Sequence, residues 1–503
     1  MIKDFTTHSG NWFKMGLLIL LVTFCFDSFA QEETNYFILQ DVISLAQKQS
    51  PDAQIAKHRF RSSYWEYRSF KAGYLPSLVL NAELPNFTHG IKAVTQSSGA
   101  DIYKEQQRSY YSANLNLTQK VGLTGANVFL QSGLSRLDDY TDSLTHQYLL
   151  TPISIGFNQP IFGYNAYKWD NKIKPMRYEE ALRTYLETNE QVAITAGNHF
   201  FNLLLAQVEK SIAIKNQSNY DTLYNIAKGR YMLGKIAENE LLQLELNLLS
   251  ANAAVENADL EYQNMLFTFK SFMRIKSDQP IILVPPAETE YFTINMDEAI
   301  QNAKTNTSSG INFERQILEA ESQLNQARLE GRFDATINAT FGLTRQSDIL
   351  GDFYTTRMDD EQVSLGITIP ILDWGQARGR IKMAESNLDL VKTSIEQARI
   401  DFEQNIFLKV MHFNMQKNQM RIAAKADTVA QKRFDVTQKR YMIGKVNDVL
   451  ELNNAQIDND NAKKGYYNSL KTYWTSFYDI RKSTLFDFAE KKKLDFNPEE
   501  LID

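Results

Sequence analysis

The 503 residues include 54 basic and 60 acidic side chains, a formal net charge of −6, with no polybasic block to track a phosphate backbone, so nucleic acid is not expected as a partner. Cys25 is the single cysteine, and six dispersed histidines show no paired-ligand spacing, so disulfide scaffolds, thiol catalysis and zinc are not expected. No Gly-x-Ser-x-Gly elbow occurs and no cofactor is expected; the chain does not read as an enzyme.

Residues 1–30 have the layout of an export signal: Lys3 and Lys14, an apolar run from Met15 to Phe26, then Ser28-Phe29-Ala30 as a small-x-small cleavage site. The run is about a dozen residues, whereas a membrane span needs about 20. Leu39, Val42, Ile43 and Ala46 then mark one face of a helix. Leu78, Leu80, Ala82 and Leu84 alternate with other residues as a strand, as do Ile153, Ile155 and Phe157. Between them lies a further alternating stretch, near residues 110–137, with Ala113, Leu115 and Leu117, a Gly122 to Gly125 turn, then Val128 and Leu130. Each strand is expected to be about ten residues. Such alternation suits a soluble sandwich as well as a tilted strand with one side on lipid.

From about Tyr167 to Met232 the only proline is Pro175, and a helix of that length spans on the order of 100 Å. Gly234 is expected to end it, since glycine readily adopts the left-handed conformation of a helix C-terminus. The return helix repeats Leu241, Leu244, Leu248, Ala251, Val255, Ala258, Tyr262, Met265, Phe269 and Phe272 in steps of three and four, a heptad seam. Pro280 to Pro286 is an extended linker.

The plan then repeats. Ser154, Gly156, Pro160, Arg230, Tyr231, Met232, Gly234 and Lys235 recur as Ser364, Gly366, Pro370, Arg440, Tyr441, Met442, Gly444 and Lys445, all offset by 210 (370 − 160), and the offset becomes 211 beyond the glycine. Met296, Ala299, Ile300 and Ala303 repeat the first helix face, Ala335, Ile337, Ala339, Phe341 and Leu343 one strand, and Val363, Leu365, Ile367, Ile369 and Ile371 another. Gln376 to Met442 forms the second long helix, and Leu452, Ala455, Ala462, Tyr466, Leu470, Tyr473, Phe477 and Ile480 form its return seam, interrupted by Asn459. Asp359, Asp360 and Glu361 read as loop. The organisation expected is a signal peptide at 1–30, a first repeat at 31–279, a linker at 280–290, a second repeat at 291–489 and a tail at 490–503. Gly229 to Ile236 nearly spells a phosphate loop, but it follows no strand, lacks the closing Ser or Thr, and has Lys439 at the duplicate of its first glycine.

Duplicated order, Arg-Tyr-x-x-Gly tips and the strand-ending segments Gln159-Pro160-Ile161-Phe162 and Ile369 to Gly375 together resemble the TolC-like outer membrane efflux protein family, the outer membrane factors. The resemblance implies an α+β membrane protein, internally duplicated: a β-barrel in the outer membrane shared by three chains, above a long periplasmic α-helical barrel of coiled-coil hairpins. It implies a homotrimeric exit duct, touching outer membrane lipid, that serves an inner-membrane pump through a periplasmic adaptor in efflux or type I secretion. It also implies adaptor docking at Tyr231, Gly234, Lys235, Tyr441, Gly444 and Lys445, and an acidic ring at the periplasmic entrance from Asp448, Glu451, Glu238 and Glu240. The family pattern has two strands per half, so the stretch near 110–137 is extra, and whether it enlarges the barrel stays open. A secreted or periplasmic coiled-coil scaffold or adhesin without a pore is the alternative.

Overall fold

The computed structural model describes residues 35–276, 280–286, 292–350, 358–444 and 449–502; the expected export signal, Lys445 and Asp448 lie outside them. The first half runs β1 (Asn35–Phe37), α1 (Leu39–Gln49), α2 (Pro51–Ala72), β2 (Ser77–Thr95), β3 (Asp101–Val121), β4 (Ala126–Asp139), β5 (Thr145–Pro160), α3 (Ala166–Met232) and α4 (Glu238–Met273). After β6 (Ile281–Leu283) the second half runs α5 (Met296–Asn306), α6 (Ser308–Glu330), β7 (Asp334–Ser347), β8 (Met358–Thr368), α7 (Gln376–Met442) and α8 (Val449–Thr484). Two short strands, β9 (Phe486–Asp487) and β10 (Lys492–Lys493), and a 3-10 turn at Pro498–Leu501 follow.

The long helices α3 and α7 each have 67 residues, and their returns α4 and α8 each have 36. Two further helices, α2 and α6, follow the short helices that open each half. The chain breaks at Ser50 because Pro51 disfavours a helical conformation before it and suits the first turn of the next helix. Ser50 caps that turn, its Oγ accepting the Ala53 N–H at 3.2 Å.

Two compact units divide the chain, with boundaries inside α2, α3, α7 and α8 and one just before α5. One gathers the chain through Gln54, Asn189–Ile294 and Met411–Ile480. In it Leu39, Val42, Ile43 and Ala46 of α1 are buried, and β1 pairs in parallel with β6 inside the stretch read as a linker. The α4 seam is inward as its periodicity requires: Leu244, Ala251 and Phe269 are buried and the intervening seam positions half-buried. On α8 the interrupting Asn459 is itself buried on the seam.

Ile55–Thr188, Asn295–Val410 and Arg481–Asp503 form the other unit. Its helical part packs Phe60 against Tyr178, Tyr185 and Phe496, with ring centroids 5.8 to 6.2 Å apart. Arg315 of α6 binds Glu180 of α3 at 2.6 Å and Glu319 at 2.9 Å, joining the two helices by charge-assisted bonds. The rest is one antiparallel six-stranded sheet in the order β2-β3-β4-β5-β7-β8.

Two expectations need correction here. Strands β2 and β3 reach 19 and 21 residues, twice the expected length, because their ladder continues past the apolar stretch through Lys92, paired with Lys104, to Thr95, paired with Asp101. Asp359, Asp360 and Glu361 are not loop: they begin β8, opposite Leu343, Gly342 and Phe341 of β7.

Candidate functional site

Register assigns every strand residue to one of the two faces of the sheet. On one face lie Leu78, Leu80 and Ala82 of β2, Leu117, Leu115 and Ala113 of β3, and Val128, Leu130 and Leu134 of β4. Phe157, Ile155 and Ile153 of β5, Ile337, Ala339, Phe341 and Leu343 of β7, and Ile367, Leu365 and Val363 of β8 continue it. The opposite face carries Asn81, Glu83, Asn116, Asn114, Gln131, Asn158, Ser154, Asn338, Thr340 and Ser364. The apolar face is bare in the single chain, with Leu80 at 64%, Val363 at 79% and Ile155 at 51% exposure. Beyond the band Arg136 sits 5.7 Å from the ring centres of Tyr111 and Tyr148 on that same face. Tyr110 lies on the polar face, its hydroxyl donating to Ser135 Oγ at 2.9 Å.

At the foot of β8 the chain bends into α7 through Trp374 and Gly375, both in the left-handed region at φ 54° and 86°. Asp373 holds the bend: its carboxylate accepts the Gly375 N–H at 3.0 Å and the Ala377 N–H at 2.9 Å. Those bonds hold the carboxyl below the usual aspartate range. The matching bend into α3 uses Asn165, whose side-chain oxygen accepts the Lys168 N–H at 3.2 Å.

In the other unit the two helix tips are built alike and used differently. The α3 tip closes as a Schellman motif: the Lys235 N–H donates to the Arg230 carbonyl at 2.9 Å and the Gly234 N–H to the Tyr231 carbonyl at 2.8 Å, with Gly234 at φ 66°. The α7 tip repeats the inner bond, Gly444 N–H to Tyr441 carbonyl at 3.0 Å, with Gly444 at φ 72°. Arg230 couples the tips. Its Nη2 donates to the Tyr441 and Met442 carbonyls at 3.1 and 2.9 Å, the last acceptors of α7, and its guanidinium lies 5.3 Å from the centre of the Tyr441 ring.

Tyr231 and Tyr441, equivalent in sequence, therefore part company. Tyr231 is 41% exposed, whereas Tyr441 is 1% exposed, within a core of Leu223, Ala227, Leu244, Phe434, Val449, Leu452 and Ala455. Burial pushes the Tyr441 phenol up, Arg230 opposes and Glu240 adds to the rise. Tyr441 thus offers no side chain for docking; Tyr231, Gly234, Lys235 and Gly444 are exposed. Of the acidic positions, Glu238 and Glu240 stand in the first turn of α4 and Glu451 in the first turn of α8, where the helix dipole favours a carboxylate. Glu238 is exposed and Glu240 and Glu451 half-buried. Arg230 is the tip residue whose role sequence did not reveal, because its acceptors lie 211 and 212 residues away.

Residues 335–483 match the family model described as outer membrane efflux protein. Over that segment the chain is similar to an outer membrane efflux protein domain. Outer membrane efflux proteins are channels and not enzymes. The fold is similar to that of the Campylobacter jejuni CmeC outer membrane channel, at 17% identity and a TM-score of 0.63 over 92% of this chain and 88% of that one. It is likewise similar to the outer membrane protein VceC of Vibrio cholerae, at 13% identity and 0.62 over 91% and 97%. A third likeness is to the open state of the Neisseria gonorrhoeae MtrE outer membrane channel, at 14% identity and 0.59 over 91% of each chain. No curated protein matches by sequence. Among the described residues no helix is long and apolar enough to cross a membrane.

Proposed function

We propose that three copies of this chain form an exit duct, a shared β-barrel in the outer membrane continued by a periplasmic barrel of α3, α4, α7 and α8, through which substrates leave passively from an inner-membrane pump joined by a periplasmic adaptor. The observation that carries the proposal is the six-stranded sheet with one bare apolar face and two open edges. Backbone groups at such edges cannot stay unpaired in lipid, so the sheet needs other copies to close it. Equal lengths of α3 and α7 and of α4 and α8 support an internally duplicated origin, with repeats at 31–279 and 291–489.

Adaptor docking is assigned to the exposed tip positions Tyr231, Gly234, Lys235 and Gly444, with Lys445. The entrance ring is assigned to Glu238, Glu451 and Asp448, with Glu240 nearer the tip core. Threefold symmetry turns each carboxylate into a ring that favours cations. Cargo class follows from the pump. The test is fractionation followed by reconstitution: the chain should sediment with outer membranes, run as a trimer by native mass spectrometry in detergent, and conduct ions in planar bilayers. Recovery as a detergent-free monomer without conductance would replace the duct with a scaffold.

A further inference from the structure

The hairpin β3–β4 does not hang from the sheet; it occupies its interior, between β2 and β5. Seventeen register pairs tie β3 to β2, and β4 is paired along its length with β5, so β2 reaches the rest of the sheet only through this hairpin. Its side chains keep the alternation of their neighbours. Leu117, Leu115 and Ala113 of β3 and Val128, Leu130 and Leu134 of β4 fall on the apolar face, while Asn116, Asn114 and Gln131 fall on the polar one. A hairpin folded away in water would have no use for an apolar side in line with that of the lipid-facing strands. Across the polar face Phe129 lies opposite Gly156, where a Cβ would come within 2.5 Å of its ring, and this close fit pins β4 against β5.

We infer that the hairpin β3–β4 is transmembrane wall, so that the barrel closed by three copies has eighteen strands, six from each, with β8 of one copy paired to β2 of the next. The inference rests on the trimeric duct proposed above and adds its bore. Six strands alternating in direction leave β2 and β8 antiparallel to each other, so a β8-to-β2 joint between copies is antiparallel like every joint within the sheet. An odd number of strands per copy would force a parallel seam. Barrel diameter grows roughly linearly with strand number, so eighteen strands give a wall about 1.5 times as wide as the twelve implied by two strands per half. Barrels of roughly 16 to 18 strands enclose an aqueous channel. Asn81, Asn114, Asn116, Gln131 and Asn338 would line it with hydrogen-bonding groups, joined on the same face by the carboxylates of Glu83 and Asp360, which suits hydrated, bulky solutes.

The deciding experiment is electron cryomicroscopy of the detergent-extracted full chain beside a variant lacking residues 101–139, which joins Ala100 to Tyr140 and removes β3 and β4. The full chain should show eighteen strands, and the variant a trimer of twelve with about two-thirds the barrel diameter. A trimer of the full chain with twelve wall strands and the hairpin outside would overturn this inference and leave the duct standing. A full chain that forms no trimeric barrel would overturn both. Should the shortened variant fail to assemble, the strand count of the full chain still decides. Single-cysteine labelling gives a second reading: with a membrane-impermeant maleimide, Gln131→Cys should react in proteoliposomes and Leu130→Cys should be protected. Equal labelling at the two positions would place the hairpin in water and overturn the inference.

Discussion

Glu187 of α3 is half-hidden chemistry that no local motif announces. Its carboxylate oxygens accept the Ser308 N–H at 2.7 Å and the Ser308 hydroxyl at 2.9 Å, supplying from another helix the cap that the N-terminus of α6 lacks from its own Thr307. Burial, the largest influence, raises the carboxyl's pKa, and the bonds from Ser308 oppose it. A carboxyl whose folded pKa lies above its unfolded one binds its proton more tightly when folded. Its stabilising contribution is therefore full below the unfolded value and lost as pH rises through the folded value. Glu187→Gln cannot titrate, so wild-type stability relative to this variant should fall as pH rises above the usual glutamate range in thermal unfolding of the detergent-solubilised protein. A constant difference would show that folding leaves this carboxyl's pKa unchanged, and a rising one that folding lowers it. At the proposed entrance the outcome is read electrically instead. Asp448→Asn combined with Glu451→Gln should weaken divalent-cation block of single-channel current, since the ring charge falls by six in a trimer. Undiminished block would remove both residues from the entrance.

At the scale of elements, the tips depend on two glycines for which no L side chain is an easy substitute. Gly234 and Gly444 hold positive φ, so Gly234→Ala and Gly444→Ala should each cost about 1–2 kcal/mol. Gly229 offers the contrast: it lies inside α3, a Cβ there meets nothing within 4 Å, and Gly229→Ala should stabilise by about 1 kcal/mol. Unfolding midpoints of the three variants test the pair of claims, and equal loss in all three would refute the left-handed cap as the cause. Long elements were the most legible from sequence, because a period sustained over many turns overdetermines the assignment: the expected spans from Tyr167 and Gln376 differ from α3 and α7 by at most one residue. The break at Ser50 was equally available, through Pro51, yet the apolar pattern on either side hides it. Strand ends were not legible, since hydrogen-bond ladders continue through polar residues whenever a partner strand runs alongside. Nor was the fate of Tyr441, because the duplicated motif is symmetric in sequence and only one of its two tyrosines meets Arg230 and the core.

For the whole molecule the decisive question is what covers the helices. On α7 the inward stripe includes Phe413, Met420, Phe434 and Tyr441, all buried. A second apolar stripe, Met415, Ile422, Val429 and Val436, repeats every seven residues and stays 49 to 59% exposed. The matching stripe on α4, Leu246, Ala253, Leu260 and Phe267, has the same seven-residue spacing and is also exposed. In the trimer proposed above, two such stripes would be the complementary halves of an interface between copies, since a heptad seam left in water leaves its apolar side chains unburied. Burying the exposed half of an Ile and of a Val is worth roughly 1.5–3 kcal/mol together, and each 1.4 kcal/mol is about tenfold in affinity. Ile422→Lys with Val429→Lys should therefore weaken assembly by at least about tenfold at each interface. The helices themselves should persist, because the inward stripe is untouched. Native mass spectrometry in detergent should show the trimer lost to monomer, with circular dichroism preserving the helical signal. A trimer that survives both substitutions at micromolar concentration would mean that these stripes face the duct's surroundings and that the sheet alone holds the copies together.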